Sequence, residues 1–166
     1  MHVEFKPAVA QDEIRKLRAF DRKVFPESDV FGCDQWTHYD TFWMMVQGKA
    51  VGCCAFLPHV DFQEDIRADR VNPQMSGSLY ISTTGILPVY QGLGLGSLLK
   101  AWQIAYARRN GFGRIVTNNR KRNRPIIRLN EKFGFQIIRT TPRYYSEPAD
   151  ATVVMELKLK PVRKAT

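Results

Sequence analysis

The chain has 166 residues, of which 44% are hydrophobic and 25% are charged, and its formal net charge is +9. This length and composition are typical of one globular domain with a substantial core, so we predict a single domain over residues 1–166. No apolar run approaches the roughly 20 residues that span a bilayer, and the N-terminal residues lack the apolar core of a signal peptide. The sequence therefore predicts a cytoplasmic protein that does not bind membranes.

Apolar periodicity predicts a helix, an irregular aromatic stretch, a hairpin and a further strand in the first half of the chain. A long polar loop separates the hairpin from that strand, and such loops often border active sites. The predicted ranges are a helix over 11–23, irregular chain over 26–40, strands over 41–46 and 50–57, a loop over 58–77 and a strand over 78–87.

The second half is predicted to contain two helices and three strands. The first helix follows a glycine-rich turn, carries an apolar stripe at spacings of three and four, and ends at Asn110-Gly111. Asn123 is expected to cap the second helix, whose first turn tolerates Pro125. The stripe comprises Leu95, Leu98, Leu99, Trp102 and Tyr106, and the strands are expected over 114–117, 135–138 and 152–159.

Cysteine and histidine usage argues against a metal centre. The three cysteines, Cys33, Cys53 and Cys54, have no ligand spacing with the histidines, so we predict no metal and interpret the cysteines as free thiols in a reducing compartment.

The segment between the 78–87 strand and the next helix carries most of the functional information. Pro88 interrupts the strand, and three alternating glycines follow within a segment that we call the glycine loop. Glycines allow backbone N–H groups to approach a ligand closely, and the start of a helix adds unpaired donors and a positive dipole end. The sequence therefore predicts a phosphate or pyrophosphate site. The glycine loop comprises Gln91, Gly92, Leu93, Gly94, Leu95, Gly96 and Ser97.

A basic cluster at residues 120–128 admits two interpretations. It is either a solvated face or a phosphate-binding group. Nucleic acid is one phosphate-bearing partner, but the sequence has no zinc-finger, homeodomain or RNA-recognition signature to support it. The cluster consists of Arg120, Lys121, Arg122, Arg124 and Arg128.

The glycine loop lacks the third glycine of the dinucleotide fingerprint and the Gly-Lys-Ser/Thr ending of a P-loop. It matches Q/R-x-x-G-x-G/A instead, and resembles the coenzyme A pyrophosphate loop of the GNAT superfamily of N-acetyltransferases. The 123–135 segment, N-x-x-I-x-x-L-N-E-K-F-G-F, is similar to the family's second motif. Arg143-Tyr144-Tyr145 with Asp150 resembles, more loosely, the branch that acetylates protein N-termini. The resemblance covers about residues 79 to 156.

The resemblance implies a mixed α/β GNAT-like fold, with a twisted, mostly antiparallel sheet of six to seven strands and about four helices. It also implies acetyl-CoA as the cofactor, a directly attacking amine as the acceptor, and the backbone N–H of Leu87 as a donor to the thioester oxygen. The expected coenzyme A contacts are Ile86, Leu87, Gln91, Gly92, Leu93, Gly94, Leu95, Gly96, Ser97, Asn123 and Asn130.

The sequence departs from the family where proton transfer is expected. Asn130 stands where the family often has a tyrosine acid, and Tyr80 and Asn118 stand at two positions for a glutamate base. A neutral amide cannot donate a proton to a leaving thiolate, so we expect Tyr144 or Tyr145 to take that role. His59, Tyr80 and the acidic residues of the 58–77 loop (Asp61, Glu64 and Asp65) remain alternatives, as does catalysis by orientation alone.

The sequence thus predicts an N-acetyltransferase acting on a primary amine of a small molecule, protein N-terminus or lysine. A non-catalytic acyl-CoA-binding module and a nucleic-acid-binding protein are the alternatives, and a homodimer is left open.

Overall fold

The computed structural model describes residues 1–8, 13–58 and 77–160. Within these residues the chain forms seven strands and four α-helices, which confirms the predicted fold class. No helix in the described ranges is long and apolar enough to cross a membrane. In chain order the elements are β1 (Val3–Pro7), α1 (Glu13–Val24), α2 (Cys33–His38), β2 (Asp40–Val46), β3 (Lys49–Pro58), β4 (Ser78–Ile86), α3 (Leu95–Arg109), β5 (Arg114–Arg120), α4 (Arg124–Lys132), β6 (Gln136–Ser146) and β7 (Ala149–Lys158).

The strands form one sheet in the order β1-β2-β3-β4-β5-β7-β6. The β1–β2, β2–β3, β5–β7 and β6–β7 pairs are antiparallel. The chain divides into two compact units, one of residues 1–57 and 81–99 and the other of residues 58–80 and 100–166. A single domain over residues 1–166 stays a prediction.

The first unit contains the predicted hairpin of β2 and β3. Gln47 and Gly48 join the strands with positive φ angles of 50° and 78°, as a tight two-residue hairpin turn requires. Strand β1, which the sequence analysis missed, pairs with β2 at the edge of the sheet, with Val3 opposite Val46. Its short V-E-F-K-P sequence carries too little alternation to distinguish it from an irregular terminus.

Helix α1 buries Leu17 and Phe20 against Trp43 of β2 and Cys53 of β3. The stretch predicted to be irregular, 26–40, instead contains a 3₁₀ turn and α2, whose Trp36 is buried in the same core. A six-residue helix offers less than two turns of periodicity, so its sequence does not reveal it.

A buried carboxylate connects α1 to the chain that follows it. Asp21 is 2% exposed, and its Oδ2 accepts a hydrogen bond from the Phe31 N–H at 3.0 Å. Burial raises the pKa of Asp21 to about 6, and the hydrogen bond from Phe31 opposes that shift. The native carboxyl therefore holds its proton at pH values where the unfolded chain, with an ordinary Asp pKa of 3.8, has already lost it.

This raised pKa predicts a pH-dependent stability. Asp21 contributes stability that is fully present below about pH 4 and is lost as the pH rises through 6, amounting to about 3 kcal/mol at about 1.4 kcal/mol per pKa unit. Asp21→Asn keeps an oxygen for the Phe31 N–H and removes the titration. Urea unfolding at pH 4 and pH 8 should show the wild type losing about 3 kcal/mol relative to this variant. Parallel curves would contradict the assignment, and Asp40→Asn, an exposed carboxylate on β2, is the control.

The second unit pairs β7 with β5 on one side and β6 on the other. Strand β6 was predicted to end at 138 but extends to Ser146 through two irregularities, between Ile137 and Arg139 and between Thr141 and Tyr145. Arg143, within the second irregularity, has a φ of 53°. The extra residues at these two irregularities break the alternation of inward and outward side chains. The sequence therefore lacks the period of two that would have predicted the rest of the strand.

Both helices that flank β5 end as their sequences predict. Gly134 after α4 has a φ of 93°, its N–H donates to Glu131, and the Phe135 N–H donates to Asn130, which is a Schellman motif. Gly111 after α3 has a φ of 78° and closes the same motif.

The predicted apolar stripe of α3 is wrong in part. Leu98 is 48% exposed. The buried face instead includes the polar residues Lys100 and Gln103, which interrupt the helical period of apolar residues in the sequence. That face comprises Leu95, Leu99, Lys100, Gln103, Ile104 and Ala107.

Candidate active site

The glycine loop leaves β4 and turns into α3 with its backbone unobstructed. Gly92 and Gly94 have φ angles of 77° and 81°, which side-chain-bearing residues rarely adopt. A Cβ atom added at either position would meet no described atom within 4 Å. The backbone therefore faces open space, as close approach of a phosphate requires.

The hydrogen-bond ladder of α3 begins after the glycine loop. Its first bond runs from the Leu98 N–H to the Gly94 carbonyl at 3.2 Å. The N–H groups of Leu95, Gly96 and Ser97 precede this bond, so helix geometry gives them no carbonyl partner. Together with the positive end of the helix dipole they form a suitable anion site. The residues present thus fit the pyrophosphate of coenzyme A.

Gln91 closes the glycine loop back onto the strand that precedes it. Its Nε2 donates a hydrogen bond of 2.9 Å to the carbonyl of Ile86, the last residue of β4. The Tyr90 N–H donates to the Leu87 carbonyl at 2.8 Å and tightens the same turn. The side-chain N–H donor at position 91 therefore holds the loop closed on the end of β4.

The expected oxyanion donor, the Leu87 N–H, already has a backbone partner. The Leu87 N–H donates to the carbonyl of Val51 on β3 at 2.9 Å. A backbone donor that is already hydrogen-bonded is not preorganised for a thioester oxygen. In this structure Val51 engages the Leu87 N–H, and the role of that N–H as a donor to the thioester oxygen stays a prediction.

The two asparagines expected near the cofactor differ from each other. Asn123 occupies the N-cap position of α4 and is exposed, but its side chain makes no capping hydrogen bond, so the expected cap is wrong. Asn130 is fully buried, with Nδ2 3.6 Å from the Met155 sulfur, while Oδ1 has no hydrogen-bond partner among the described residues. Their contacts with coenzyme A stay predictions.

A network of polar side chains joins the tyrosine candidates to β5. The Tyr80 hydroxyl donates to Oδ1 of Asn118, and Nδ2 of Asn118 donates to the Tyr145 hydroxyl at 3.2 Å. Nδ2 also donates to the Thr152 hydroxyl at 3.1 Å. Tyr144, which is 36% exposed, packs its ring edge-to-face on Tyr145 at a centroid distance of 4.9 Å. The structure therefore connects Tyr145 to Asn118 and, through it, to Tyr80, the two positions at which a base was expected.

Two arginines of the basic cluster hold the turn between β6 and β7. Arg120 donates to the Pro148 and Glu147 carbonyls at 2.6 and 3.1 Å, and its guanidinium lies 4.2 Å from the Tyr145 ring centroid. Arg122 binds Asp150 through Nε at 3.2 Å. Burial opposes the shift, but hydrogen bonds from two backbone N–H groups and the charge of Arg122 hold the pKa of Asp150 below its ordinary value. These two side chains therefore have structural contacts.

Some sequence candidates lie outside the described residues, and one residue of the network had no sequence signal. His59 and the acidic residues of the loop, Asp61, Glu64 and Asp65, lie outside the described residues. Thr152 belongs to the network but was missed, since a threonine inside an apolar strand gives no sequence signal. Only the strand register, which sets Thr152 opposite Arg120, reveals it.

Comparison with known proteins agrees with this geometry. Residues 11–135 match the model described as the Acetyltransferase (GNAT) family. Probable N-acetyltransferase san of Drosophila melanogaster is 35% identical over 156 residues, covering 89% of this chain and 77% of the relative. N-alpha-acetyltransferase 50 of Danio rerio is 30% identical, with coverage of 89% and 84%.

Solved structures show the same fold at lower identity. Arabidopsis thaliana NAA60 in complex with acetyl-CoA superposes with a TM-score of 0.77 at 15% identity, over 95% of this chain and 99% of that one.

Proposed function

Because the chain belongs to the GNAT family of acetyltransferases, which use acetyl-CoA, we propose that its acceptor is the α-amino group of a protein N-terminus. The chain is an acyltransferase that moves an acetyl group to an amine. Membership of this family favours catalysis over a non-catalytic acyl-CoA-binding module.

The observation that supports this acceptor most is the chemistry of the Tyr80–Asn118–Tyr145 network. An α-amino group has a pKa of about 7.7–8.0, against about 10.4 for a lysine side chain. A sizeable share of α-amines is therefore already neutral near pH 7, whereas a lysine needs a strong base. The Tyr80 and Tyr145 hydroxyls, which Asn118 bridges, are weak bases at neutral pH. They therefore suit an α-amine, which needs less help to lose its proton than a lysine does. The names of the two curated relatives, one an N-alpha-acetyltransferase, agree with this acceptor.

The chain's own residues would hold the cofactor through the glycine loop. The N–H groups of residues 92–97 would bind the pyrophosphate, Gln91 keeps the loop closed on Ile86, and Asn123 and Asn130 complete the proposed contacts. When bound, acetyl-CoA supplies the thioester carbonyl carbon that the amine attacks.

Tyr145 is the proposed proton donor. As the bond between the acceptor nitrogen and the acetyl carbon forms and the carbon–sulfur bond breaks, Tyr145 gives its proton to the leaving sulfur. The proton that the nitrogen loses restores the Tyr145 hydroxyl, so no proton is gained or lost by the enzyme over a cycle. Tyr80, whose hydroxyl proton is directed to Asn118, presents its oxygen as a hydrogen-bond acceptor that orients the attacking amine.

We also propose that the enzyme acts in the cytoplasm. Cys53 and Cys54 are adjacent, buried thiols that are not in a disulfide, as suits a reducing compartment.

Thiol release from acetyl-CoA tests the acceptor with two matched peptides. One has a free α-amine and an acetylated lysine, and the other has a blocked N-terminus and a free lysine. We expect kcat/KM for the first to exceed that for the second by at least about 10-fold, or about 1.4 kcal/mol. Equal values, or a preference for the lysine peptide, would contradict the proposal.

A further inference from the structure

The hydroxyl of Thr152 has only one proton, and the structure shows where that proton is used. Thr152 is fully buried on β7. Its Oγ1 donates to the carbonyl of Asn119 at 3.4 Å. The hydroxyl can therefore only accept from Asn118, whose side-chain nitrogen lies 3.1 Å away.

This acceptor role fixes the orientation of the Asn118 amide. With the amide turned over, Oδ1 would face the Thr152 oxygen, so Thr152 would have to turn its proton to Oδ1 and the Asn119 carbonyl would lose its hydrogen bond from Thr152. The observed orientation instead satisfies Thr152 and directs the second Nδ2 proton to the Tyr145 hydroxyl at 3.2 Å. Oδ1 is left to accept from Tyr80. A buried donor or acceptor that loses its partner costs about 1–3 kcal/mol, which is enough to select one orientation.

The orientation of the amide in turn decides what each phenol can do. Tyr145 accepts from Asn118, so its own proton is donated in a direction away from Asn118. Tyr80 gives its proton to Asn118, so its oxygen acts elsewhere as an acceptor. Turning the amide over would exchange these roles.

We propose that Thr152 is a positioning residue for acetyl transfer: through Asn118 it makes Tyr145 the proton donor and leaves the Tyr80 oxygen as a hydrogen-bond acceptor for the amine. This inference rests on the proposed role of Tyr145 in the reaction. Arg120 supports the same arrangement, since its guanidinium covers the Tyr145 ring while its nitrogens bind the carbonyls of the β6–β7 turn.

The test replaces only the hydroxyl. Thr152→Val keeps the shape of the side chain and removes the acceptor, whereas Thr152→Ser keeps the hydroxyl and loses a methyl group. We expect Thr152→Val to lower kcat about 10-fold, which is less than the 10²–10⁴-fold that a positioned acid supplies, while the KM for acetyl-CoA changes less than about 2-fold. Thr152→Ser should restore kcat. In a Tyr145→Phe background, Thr152→Val should cause no further loss, because both changes act on one proton path.

A second measurement needs no activity. In the ligand-free protein, NMR of the Asn118 side-chain amide, assigned by its loss in Asn118→Asp, should show protected protons in the wild type and Thr152→Ser. In Thr152→Val these protons should exchange faster with solvent. Wild-type kcat in Thr152→Val, an equal loss in Thr152→Ser, or unchanged amide exchange would each overturn the inference. If Thr152→Val does not fold, Asn118→Asp takes its place: it can accept from both hydroxyls but donate to neither, and undiminished kcat would overturn the inference.

The two proposals fail in different ways. If the wild type transfers no acetyl group to the peptides, the proposed function is wrong, while the amide exchange still tests the role of Thr152. If the wild type is active and Thr152→Val matches it, only the role of Thr152 is wrong.

Discussion

Gly94→Val is expected to lower the affinity for acetyl-CoA at least about 100-fold, or about 2.7 kcal/mol. Gly94 precedes α3 with a φ of 81°, and its backbone faces open space. A valine there puts a branched side chain where the phosphate must approach, and it also disfavours the left-handed backbone by about 1–2 kcal/mol. Titration calorimetry with coenzyme A measures the loss.

Gly111→Val is a closely matched control for this variant. Gly111 has a φ of 78° after the other end of α3, and a Cβ atom there would also meet no described atom within 4 Å. Both variants should therefore lose similar unfolding free energy, and only Gly94→Val should lose the ligand. Equal coenzyme A affinity in the two folded variants would remove the glycine loop from the binding site.

Tyr145→Phe is expected to lower kcat about 100-fold with little change in either KM. The substitution removes the hydroxyl that Asn118 holds and keeps the ring that lies under Arg120, so its effect is confined to a proton that moves in the transition state. Steady-state kinetics with an N-terminal peptide, under conditions in which chemistry limits the rate, measures the change.

Tyr144→Phe distinguishes the two tyrosines that the sequence left open. Tyr144 is half-exposed and contacts Tyr145 through its ring, which phenylalanine retains. We expect its kcat to stay within about 3-fold of the wild type. A larger loss in Tyr144→Phe than in Tyr145→Phe would transfer the donor role to Tyr144, and full kcat in both would favour catalysis by orientation alone.

The elements that a local pattern specifies could be predicted from the sequence. Helices α3 and α4 end where Gly111 and Gly134 adopt positive φ, because glycine meets that demand without steric cost. The β2–β3 hairpin follows from Gln47-Gly48 for the same reason. The glycine loop combines both signals, a strand stop and a helix start, so its position and chemistry were accessible.

Features that depend on pairing across the chain could not be predicted. Strand β1 exists because β2 offers an edge, and the far half of β6 exists because β7 tolerates its extra residues. The hydrogen bond between Leu87 and Val51 and the hydroxyl of Thr152 are likewise fixed by register, which no local spacing encodes. Arg120 and Arg122 look like free charge in the sequence, yet carbonyls and a carboxylate of the β6–β7 turn hold them.

Mass spectrometry of one peptide tests the central claim most directly. The peptide carries a free α-amine and an internal lysine, and it is incubated with the protein and acetyl-CoA before fragmentation. We predict one added acetyl group, located on the N-terminal residue and absent when Gly94→Val replaces the wild type. An unmodified peptide, or an acetyl group found on the lysine alone, would contradict the account.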